Sequence, residues 1–459
     1  MEVTGKILIA MGYTPGKWFR PVLDHLNAQE DMSMAELKAY VDSQVPQTIA
    51  PHETAVPYFK NIRAEQEIES ANVASVFETM DELMKTPTIV GGAVMPDACP
   101  TGPPGTIPVG GVVVTEDAIH PAMHSADICC SVMMTSFGMV DPKIVLDAAQ
   151  KITHFGGGGR KENDLFDFPS GLEEKIKANY YVKGKKSIQL AKTHLGTQGD
   201  GNHFLYVGRS EQTGETIMVT HHGSRGFGAN LYRHGMQAAQ KFRREHSPKT
   251  MKCNAWLPYS DPQGAEYWEA LQLVREWTQL NHTVLHDATA RRTGKDPTLR
   301  FWNEHNFVFK EGSKFYHAKG ATPLDDKFVP DSYKGLRLVP LNMSQPILVV
   351  KGETTDTNLG FAPHGAGREI SRSQHIRNQE GRTIDEIFAE ETAGLDVRFY
   401  SGHIDISELP SAYKNADKVQ AQMKQFGLGE VADKILPYGC MMAGNWKIDA
   451  PWKKKKRKD

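Results

Sequence analysis

The sequence predicts a single fold of the α/β (α+β) class. Runs of β-branched residues bounded by Gly and Pro, as around residues 107–114 and 131–137, are typical of strands. Stretches with apolar residues at helical spacing lie between such runs, and the longest covers residues 263–292. Neither an internal repeat nor a clear linker interrupts the 459 residues, so we expect one contiguous fold.

The composition is typical of a soluble globular protein, with 39% hydrophobic and 24% charged residues. Because the net charge is only -2, any nucleic-acid-binding surface must be local. The sequence has no run of 18 apolar residues and no signal-peptide pattern at its start, which predicts a cytoplasmic protein without a membrane partner. Its five cysteines do not form the pattern of a disulfide framework and indicate a reducing compartment.

The first half of the chain alternates helical and extended patterns. The predicted elements are a short strand or helix start at 6–10, helices at 34–41, 64–85 and 141–152, and a strand that begins at 86–92. The Pro- and Gly-rich residues 95–105 predict a loop. The glycines at 156–159 predict a flexible turn, which could cradle phosphate but is more often a plain loop.

The second half is richer in helices. The predicted elements are helices at 229–245, 263–292, 383–391 and 409–425, and a strand at 344–350. Residues 358–368 form a glycine-rich turn, and a helix start follows it. The Lys- and Arg-rich residues 453–458 predict a solvated tail, for which weak, salt-sensitive RNA affinity and a localisation role both stay open.

One short segment, residues 124–131, combines a carboxylate with two thiols between two predicted strands. Asp127, Cys129 and Cys130 lie within four residues of one another. Side chains at such a junction can point into a pocket while the strands hold the backbone still. A cysteine pair that is buried only for packing is the alternative, because free cysteine is among the most buried residue types.

Histidines beside glycine or at strand ends recur further along the chain. With the segment above they give the candidate metal ligands Asp127, Cys130 (or Cys129), His203, His221 (or His222) and His305. Thiolate, imidazole and carboxylate together are a ligand set for zinc, manganese or iron. A pair of such ions would clamp the entering and leaving oxygens of a phosphoryl displacement. Sequence spacing alone does not show that these residues meet.

His364 differs from the other histidines because it heads the glycine-rich turn at 364–367. Arg368 and Arg372 follow it and suit phosphate recognition. A neutral imidazole nitrogen can attack an activated phosphorus and form a covalent intermediate. His364 is therefore the candidate nucleophile.

From about Met95 to Arg372, several separate motifs resemble, in the same order, those of the RtcB family of GTP- and manganese-dependent RNA ligases. The similar segments are 95–97 (MPD), 127–130 (D-I-x-C), 201–204 (GNHF), 221–226 (H-[S/T]-G-S-R-G), 305–306 (HN) and 364–372 (HGAGR-x-x-SR). This resemblance selects Cys130 over Cys129 and His221 over His222. It implies a single large fold with mixed sheets around a central two-metal cleft.

The resemblance also implies a division of the chain and a set of metal ligands. Residues 61–445 would form the catalytic domain, 1–60 an N-terminal elaboration and 446–459 a basic tail. One manganese ion would be held by Asp127, Cys130 and His203. The second would be held by Cys130, His221 and His305, with Cys130 bridging the two ions.

The implied reaction begins when His364 attacks the α-phosphorus of GTP and holds GMP. The GMP then passes to an RNA 3'-phosphate formed from a 2',3'-cyclic phosphate, and a 5'-hydroxyl displaces it and joins the strands, in tRNA splicing or RNA repair. The implied nucleotide-binding residues are Asn202, Phe204, Tyr206, Asn306, Asn342, Met343, Gly365, Ala366, Gly367 and Arg368. The implied partners are the nucleotide and RNA, either tRNA halves or cleaved RNA.

The chain departs from the family pattern at several positions. Cys99 replaces a usual His, Tyr206 replaces an acidic residue that reads the base, and Ala318 replaces a basic residue. Residues 340–344 read PLNMS where PGSMG is usual, and 440–444 stand near the place of a terminal Lys-Gly. These changes fall on the base pocket, so the choice of base stays open. A metal-dependent phosphodiesterase or cyclic-phosphate hydrolase, or a non-ligating nucleotidyl-transfer or RNA-binding relative, is the alternative.

Overall fold

The computed structural model describes residues 2–13, 15–16, 18–29 and 32–449, so the Lys-rich residues 453–458 lie outside the described residues. The α-helices are α1 (Gly5–Ala10), α2 (Phe19–Asn27), α3 (Met34–Gln44), α4 (Glu67–Leu83), α5 (Pro142–Gln150), α6 (Ser170–Ala178), α7 (Lys185–Thr193), α8 (Arg225–His246), α9 (Pro262–Thr293), α10 (Arg372–Asn378), α11 (Ile384–Glu391) and α12 (Ala416–Gln425). The strands are β1 (Phe59–Lys60), β2 (Ile89–Cys99), β3 (Val109–Glu116), β4 (Ala118–Ile119), β5 (Cys130–Ser136), β6 (Phe204–Ser210), β7 (Thr216–His222), β8 (Leu257–Pro258), β9 (Leu299–Glu311), β10 (Lys314–Lys319), β11 (Ala321–Pro323), β12 (Arg337–Pro340), β13 (Ile347–Lys351), β14 (Phe361–Pro363), β15 (Asp396–Phe399) and β16 (Glu430–Met442).

Most strands belong to one large mixed sheet. Its order is β1-β2-β3-β10-β9-β5-β7-β6-β16-β13-β12, and β15 pairs with β16 beside this path. The β1–β2 and β15–β16 pairs are parallel, and the other pairs in this sheet are antiparallel. The mixed α/β architecture confirms the predicted fold class.

The long helix α9 packs against the centre of this sheet. Asp261 caps its first turn by accepting a hydrogen bond from the backbone N–H of Gln263, and the helix ends at Gly294 in the left-handed region at φ 65°. Its face with Leu271, Val274 and Trp277 is fully buried, at the spacing expected of a helix that covers a core. Among the described residues no helix, α9 included, is long and apolar enough to cross a membrane.

The N-terminal helices α1, α2 and α3 pack around a hydrophobic cluster of their own. Leu8, Val22 and Val41 lie at its centre, almost fully buried. An extended segment follows, in which the backbone N–H of Ile49 donates to the carbonyl of His246 at the end of α8. The division into 1–60, 61–445 and 446–459 stays a prediction.

Two predicted elements are wrong in part. The loop predicted at 95–105 begins later, because β2 runs to Cys99. The pairing of β2 with β3 shifts between Val94 and Cys99, and Pro96 sits in that bulge, where no ladder hydrogen bond is required of it. The helix predicted at 409–425 begins only at Ala416, because the side chain of Asn415 caps it.

Buried neutral histidines make the fold sensitive to acid. Burial lowers the pKa of His120 to about 3, while its ring contacts Asn254 and Thr88. In the unfolded chain a histidine has a pKa near 6.5. Between pH 6.5 and pH 3 the unfolded state therefore binds a proton that folded His120 does not bind. The free energy of unfolding thus falls as the pH drops below 6.5. Around pH 5 we expect His120→Gln to reduce the slope of unfolding free energy against pH by about 1.4 kcal/mol per pH unit.

Urea denaturation at pH values from 4.5 to 7 measures that slope. Met123→Ala is the matched control, because Met123 is buried nearby and carries no titratable group. We expect it to lower stability by about 2–5 kcal/mol at every pH. An unchanged slope in His120→Gln would contradict the neutral buried state of His120.

Candidate active site

Four neighbouring strands bring the candidate metal ligands together. In the order β9-β5-β7-β6, Cys130 lies opposite Asn306 and Phe204 lies opposite His221. The next residue of β5, Ser131, pairs with Glu304, so His305 is the extra residue of a β-bulge on β9. Bulges re-aim a side chain locally. The sheet register thus places the four ligand-bearing segments side by side.

The candidate ligands form two groups that share Cys130. The Sγ of Cys130 lies 3.5 Å from His203 Nε2 and 3.2 Å from His221 Nε2. Asp127 Oδ2 lies 3.0 Å from His203 Nε2, and the Nε2 atoms of His221 and His305 are 3.1 Å apart. Each group, Asp127–Cys130–His203 and Cys130–His221–His305, could hold a metal ion, with ligand atoms within 4.8 Å of one another.

The electrostatics of this cluster fit a cation. Burial lowers the pKa of His221 and His305 well below the usual value, so both imidazoles are neutral near pH 7. The Nδ1–H of His221 donates to the carbonyl of Asn202 at 3.1 Å, which leaves the Nε2 lone pair directed at Cys130. Burial raises the pKa of the Cys130 thiol, and a bound metal ion is what would favour its thiolate.

His364 is held by Asp97. The fully buried carboxylate of Asp97 accepts hydrogen bonds from the backbone N–H of His364 at 3.1 Å and from its Nδ1 at 2.6 Å. Because Nδ1 donates this hydrogen bond, the ring proton is on Nδ1 and the free lone pair is on Nε2. The ring of His364 lies 5.0 Å from the ring of His305, centroid to centroid. Asp97 was missed as a site residue, although the motif at 95–97 was the signal for it.

Two glycines allow the backbone to approach this pair. Gly367 has φ 74°, and a Cβ there would lie 2.0 Å from the carbonyl oxygen of Asp97. Gly320 has φ 66°, and a Cβ there would lie 2.9 Å from Cε1 of His364. A side chain at either position would meet both backbone strain and a steric clash.

One cavity of about 810 Å³ joins these features, a size that suits a nucleotide. Cys130 and His364 both line it, as do Asp127, His221 and His305. Its lining includes every predicted nucleotide-binding residue, namely Asn202, Phe204, Tyr206, Asn306, Asn342, Met343, Gly365, Ala366, Gly367 and Arg368. His203 instead lines a second cavity of about 600 Å³, which Asp127 and Asn202 also line.

Cationic groups border the same cavity. Arg368 donates to the carbonyl of Ser407 at 2.8 Å, while its buried Nε has no partner among the described residues. Arg372 Nε donates to Glu408 Oε1 at 2.6 Å. Burial lowers the pKa of Lys319 to about 8. Lys319 was not among the predicted site residues, although the Lys-Gly-Ala motif at 319–321 pointed to it. Glu408 was not among them either, and no sequence pattern pointed to it.

A buried Cys/His cluster that could hold metal ions, an oriented imidazole and cationic groups around one cavity are the features of a candidate metal-assisted active site. A family model described as "tRNA-splicing ligase RtcB" matches residues 160–443, more than half of the chain. The chain therefore belongs to the RtcB family, which confirms the resemblance of its motifs. The matched range contains His203, His221, His305 and His364, and Cys130 lies before it.

Individual relatives agree with this assignment. The chain is 30% identical over 369 residues to "RNA-splicing ligase RtcB1" of Escherichia coli, covering 72% of this chain and 85% of the relative. It is 28% identical over 288 residues to "RNA-splicing ligase RtcB" of Mycobacterium bovis, a match that covers 56% of this chain and 66% of the relative. It is 25% identical over 285 residues to "tRNA-splicing ligase RtcB" of Aeropyrum pernix, a match that covers 53% of this chain and 58% of the relative. The latter two matches span less than two thirds of the relatives' length, 66% and 58%.

Because Cys130 belongs to both ligand groups, its loss should weaken both. We expect Cys130→Ser to retain less than half of the manganese that the wild-type protein retains, because the hydroxyl is a much poorer anionic ligand than a thiolate. Elemental analysis after dialysis against manganese measures this. Cys253→Ser is the control, because Cys253 is a free cysteine outside both ligand groups. This variant should retain as much manganese as the wild-type protein. Equal content in both variants would exclude Cys130 as a ligand.

Proposed function

We propose that this protein is an RNA ligase that joins a 2',3'-cyclic phosphate or 3'-phosphate end to a 5'-hydroxyl end through a His–GMP intermediate, in tRNA splicing or RNA repair. One observation carries the proposal: His364, oriented by Asp97, shares a cavity with the ligand cluster centred on Cys130. Membership of the RtcB family supports it independently.

His364 is the proposed nucleophile. Its Nε2 attacks the α-phosphorus of GTP, an N–P bond forms, and the bond from that phosphorus to the bridging oxygen breaks and releases pyrophosphate. The imidazole gains positive charge in this step, and the carboxylate of Asp97, 2.6 Å from Nδ1, stabilises it. The unpartnered Nε of Arg368 is a donor available to a phosphate oxygen.

The guanylate then moves from His364 to an oxygen of the RNA 3'-phosphate. A phosphate oxygen is a poor leaving group, whereas GMP is a good one, so this transfer activates the RNA end. The 5'-hydroxyl attacks the 3'-phosphorus, the new phosphodiester forms, and GMP departs. A 2',3'-cyclic end would first be opened to the 3'-phosphate.

The residues that would hold two manganese ions are Asp127, Cys130 and His203 for one, and Cys130, His221 and His305 for the other. When bound, the ions would supply Lewis-acid stabilisation of negative charge on phosphate oxygens. This chain's own part is to keep the ligands neutral or deprotonated and closely spaced, as the Asn202 contact to His221 does. RNA is the partner that the proposal requires, and a cytoplasmic location stays a prediction.

Covalent labelling tests the nucleophile. Wild-type protein loaded with manganese and incubated with GTP carrying a radiolabelled α-phosphate should retain label through denaturation, and His364→Ala should retain none. Asp97→Asn should label about 100-fold more slowly. The amide carries no negative charge to stabilise the imidazolium, and it holds the Nδ1–H tautomer of neutral His364 less firmly than the carboxylate does. Asp81→Asn, at an exposed carboxylate that contacts Tyr58, is the matched control and should label normally.

A joined product completes the test. RNA with a 2',3'-cyclic phosphate and a second RNA with a 5'-hydroxyl should become one strand only in the presence of nucleotide and intact His364. Hydrolysis of the cyclic phosphate that survives His364→Ala, together with no covalent label in wild type, would reject the ligase in favour of a metal-dependent phosphodiesterase.

A further inference from the structure

Each ligand of one candidate metal group has a polar neighbour in sequence that is fully buried. The ligands are Cys130, His221 and His305, and the neighbours are Ser131, Thr220 and Glu304. Successive side chains of a strand point to opposite faces of the sheet, so a residue beside a ligand can reach the layer behind the ligand cluster. In this protein that layer contains helix α9, and α9 contacts all three neighbours.

His282 of α9 joins two of these neighbours. Its Nδ1 lies 2.6 Å from the hydroxyl of Thr220, and its Nε2 lies 3.1 Å from the hydroxyl of Ser131. Burial lowers the pKa of His282 to about 3, so the ring is neutral near pH 7. One of its two nitrogens therefore donates and the other accepts. A single imidazole thus ties β5 to β7 at the residues next to Cys130 and His221.

The hydrogen bonds continue from His282 in a chain whose direction is fixed at both ends. We call it the back-face chain and define it by six side chains: Arg300, Thr135, His286, Thr220, His282 and Ser131. At one end Arg300 can only donate, and its Nε donates to the hydroxyl of Thr135 at 2.9 Å. At the other end the hydroxyl of Ser131 donates at 3.0 Å to the carbonyl of Cys129, which can only accept.

Every polar atom between these two ends then has one role. The hydroxyl of Thr135 donates to Nδ1 of His286 at 2.7 Å, and Nε2 of His286 donates to Thr220 at 2.8 Å. The hydroxyl of Thr220 donates to Nδ1 of His282, whose Nε2 donates to Ser131. Each hydrogen bond polarises the next, and rotation of one member would leave buried polar atoms unpaired. The chain therefore holds β5, β7 and α9 in one arrangement.

The third neighbour, Glu304, is held by a separate contact to α9. Arg275 donates from Nε to the carboxylate of Glu304 and from Nη2 to Asp331 at 2.7 Å. Glu304 is fully buried, and a buried carboxylate that lost its cation would be costly. The ion pair thus fixes β9 at the residue before its bulge, which is formed by His305.

We propose that the back-face chain and the Glu304–Arg275 pair position Cys130, His221 and His305 for metal binding, with His282 as the central positioning residue. The inference rests on the proposed function, because it concerns the metal ions of the same site. His282 acts through Ser131 and Thr220, and not by binding an ion itself. Residues that support metal ligands typically change metal affinity by about 10- to 100-fold.

Manganese titration of His282→Phe tests the inference. Phenylalanine keeps a flat ring and removes both ring nitrogens, while Ser131 keeps its bond to Cys129 and Thr220 keeps its bond to His286. Calorimetric titration of metal-free protein should show a dissociation constant about tenfold above the wild-type value for at least one ion.

The possible results separate the inference from the function it rests on. If wild-type protein binds manganese and the dissociation constants of His282→Phe rise less than about threefold, the inference is overturned and the proposed function stands. If wild-type protein binds no manganese, the proposed metal site is rejected and the inference with it. If circular dichroism shows that His282→Phe does not fold, Ser131→Ala replaces it, because that change breaks the same chain at its end. The same threefold limit then applies.

Thr289→Val is the matched control, because it also replaces a buried polar side chain of α9 by an apolar one. The hydroxyl of Thr289 donates to the carbonyl of Leu285 at 2.8 Å, within the helix. Its manganese dissociation constants should equal those of wild-type protein. A loss of affinity as large as that of His282→Phe would mean that any disturbance of α9 has this effect, and would overturn the inference.

Cobalt gives a spectroscopic reading of the thiolate ligand. Absorption from thiolate-to-cobalt charge transfer reports the bond between Cys130 and the ion, and its intensity at saturating cobalt should be lower in His282→Phe than in wild-type protein. His282→Gln can restore a hydrogen bond to Thr220 or Ser131, so its intensity and its manganese affinity should recover in part. Equal intensity in wild-type protein and His282→Phe would show that the imidazole does not position Cys130.

Discussion

The register of four neighbouring strands around Cys130 is the constraint on which the site depends. Ladder hydrogen bonds fix Cys130 opposite Asn306, and the bulge at His305 turns its imidazole toward the same point. A one-residue slip would send these side chains to the other face of the sheet. The buried face of α9 packs against β5 and adds the apolar contacts that make such a slip costly.

Asn306 couples this cluster to the nucleophile. Its backbone carbonyl accepts from the N–H of Cys129 at 2.6 Å, and its side-chain oxygen accepts from the N–H of Gly320 at 2.7 Å. Gly320 lies against the ring of His364, and Asp97 accepts a hydrogen bond from Nδ1 of the same ring. Asn306 therefore links the ligand cluster to His364 through two hydrogen bonds and the close approach of Gly320 to the imidazole.

Sequence patterns predicted the elements with strong periodicity, such as α9, and ordered motifs selected the candidate ligands. They failed at residues 95–99, because Pro and Gly density does not distinguish a loop from a bulged strand. Glu408 could not be found either, because its role comes from contacts to Arg372 and Tyr413 that only the fold creates. Convergence of Cys130 and His364 likewise required the tertiary structure, since they are separated by more than two hundred residues.

The cavity is built from two sets of elements with different demands. Its polar part uses β5, β7, β9 and the turn at 364–368, where distances between charged or metal-binding atoms decide the chemistry. Its apolar part, which includes Tyr206, Met343 and Cys440, uses β6, β16 and residues 341–347. The two parts lie on different strands, so packing in the apolar part and ligand spacing in the polar part are set largely by different side chains.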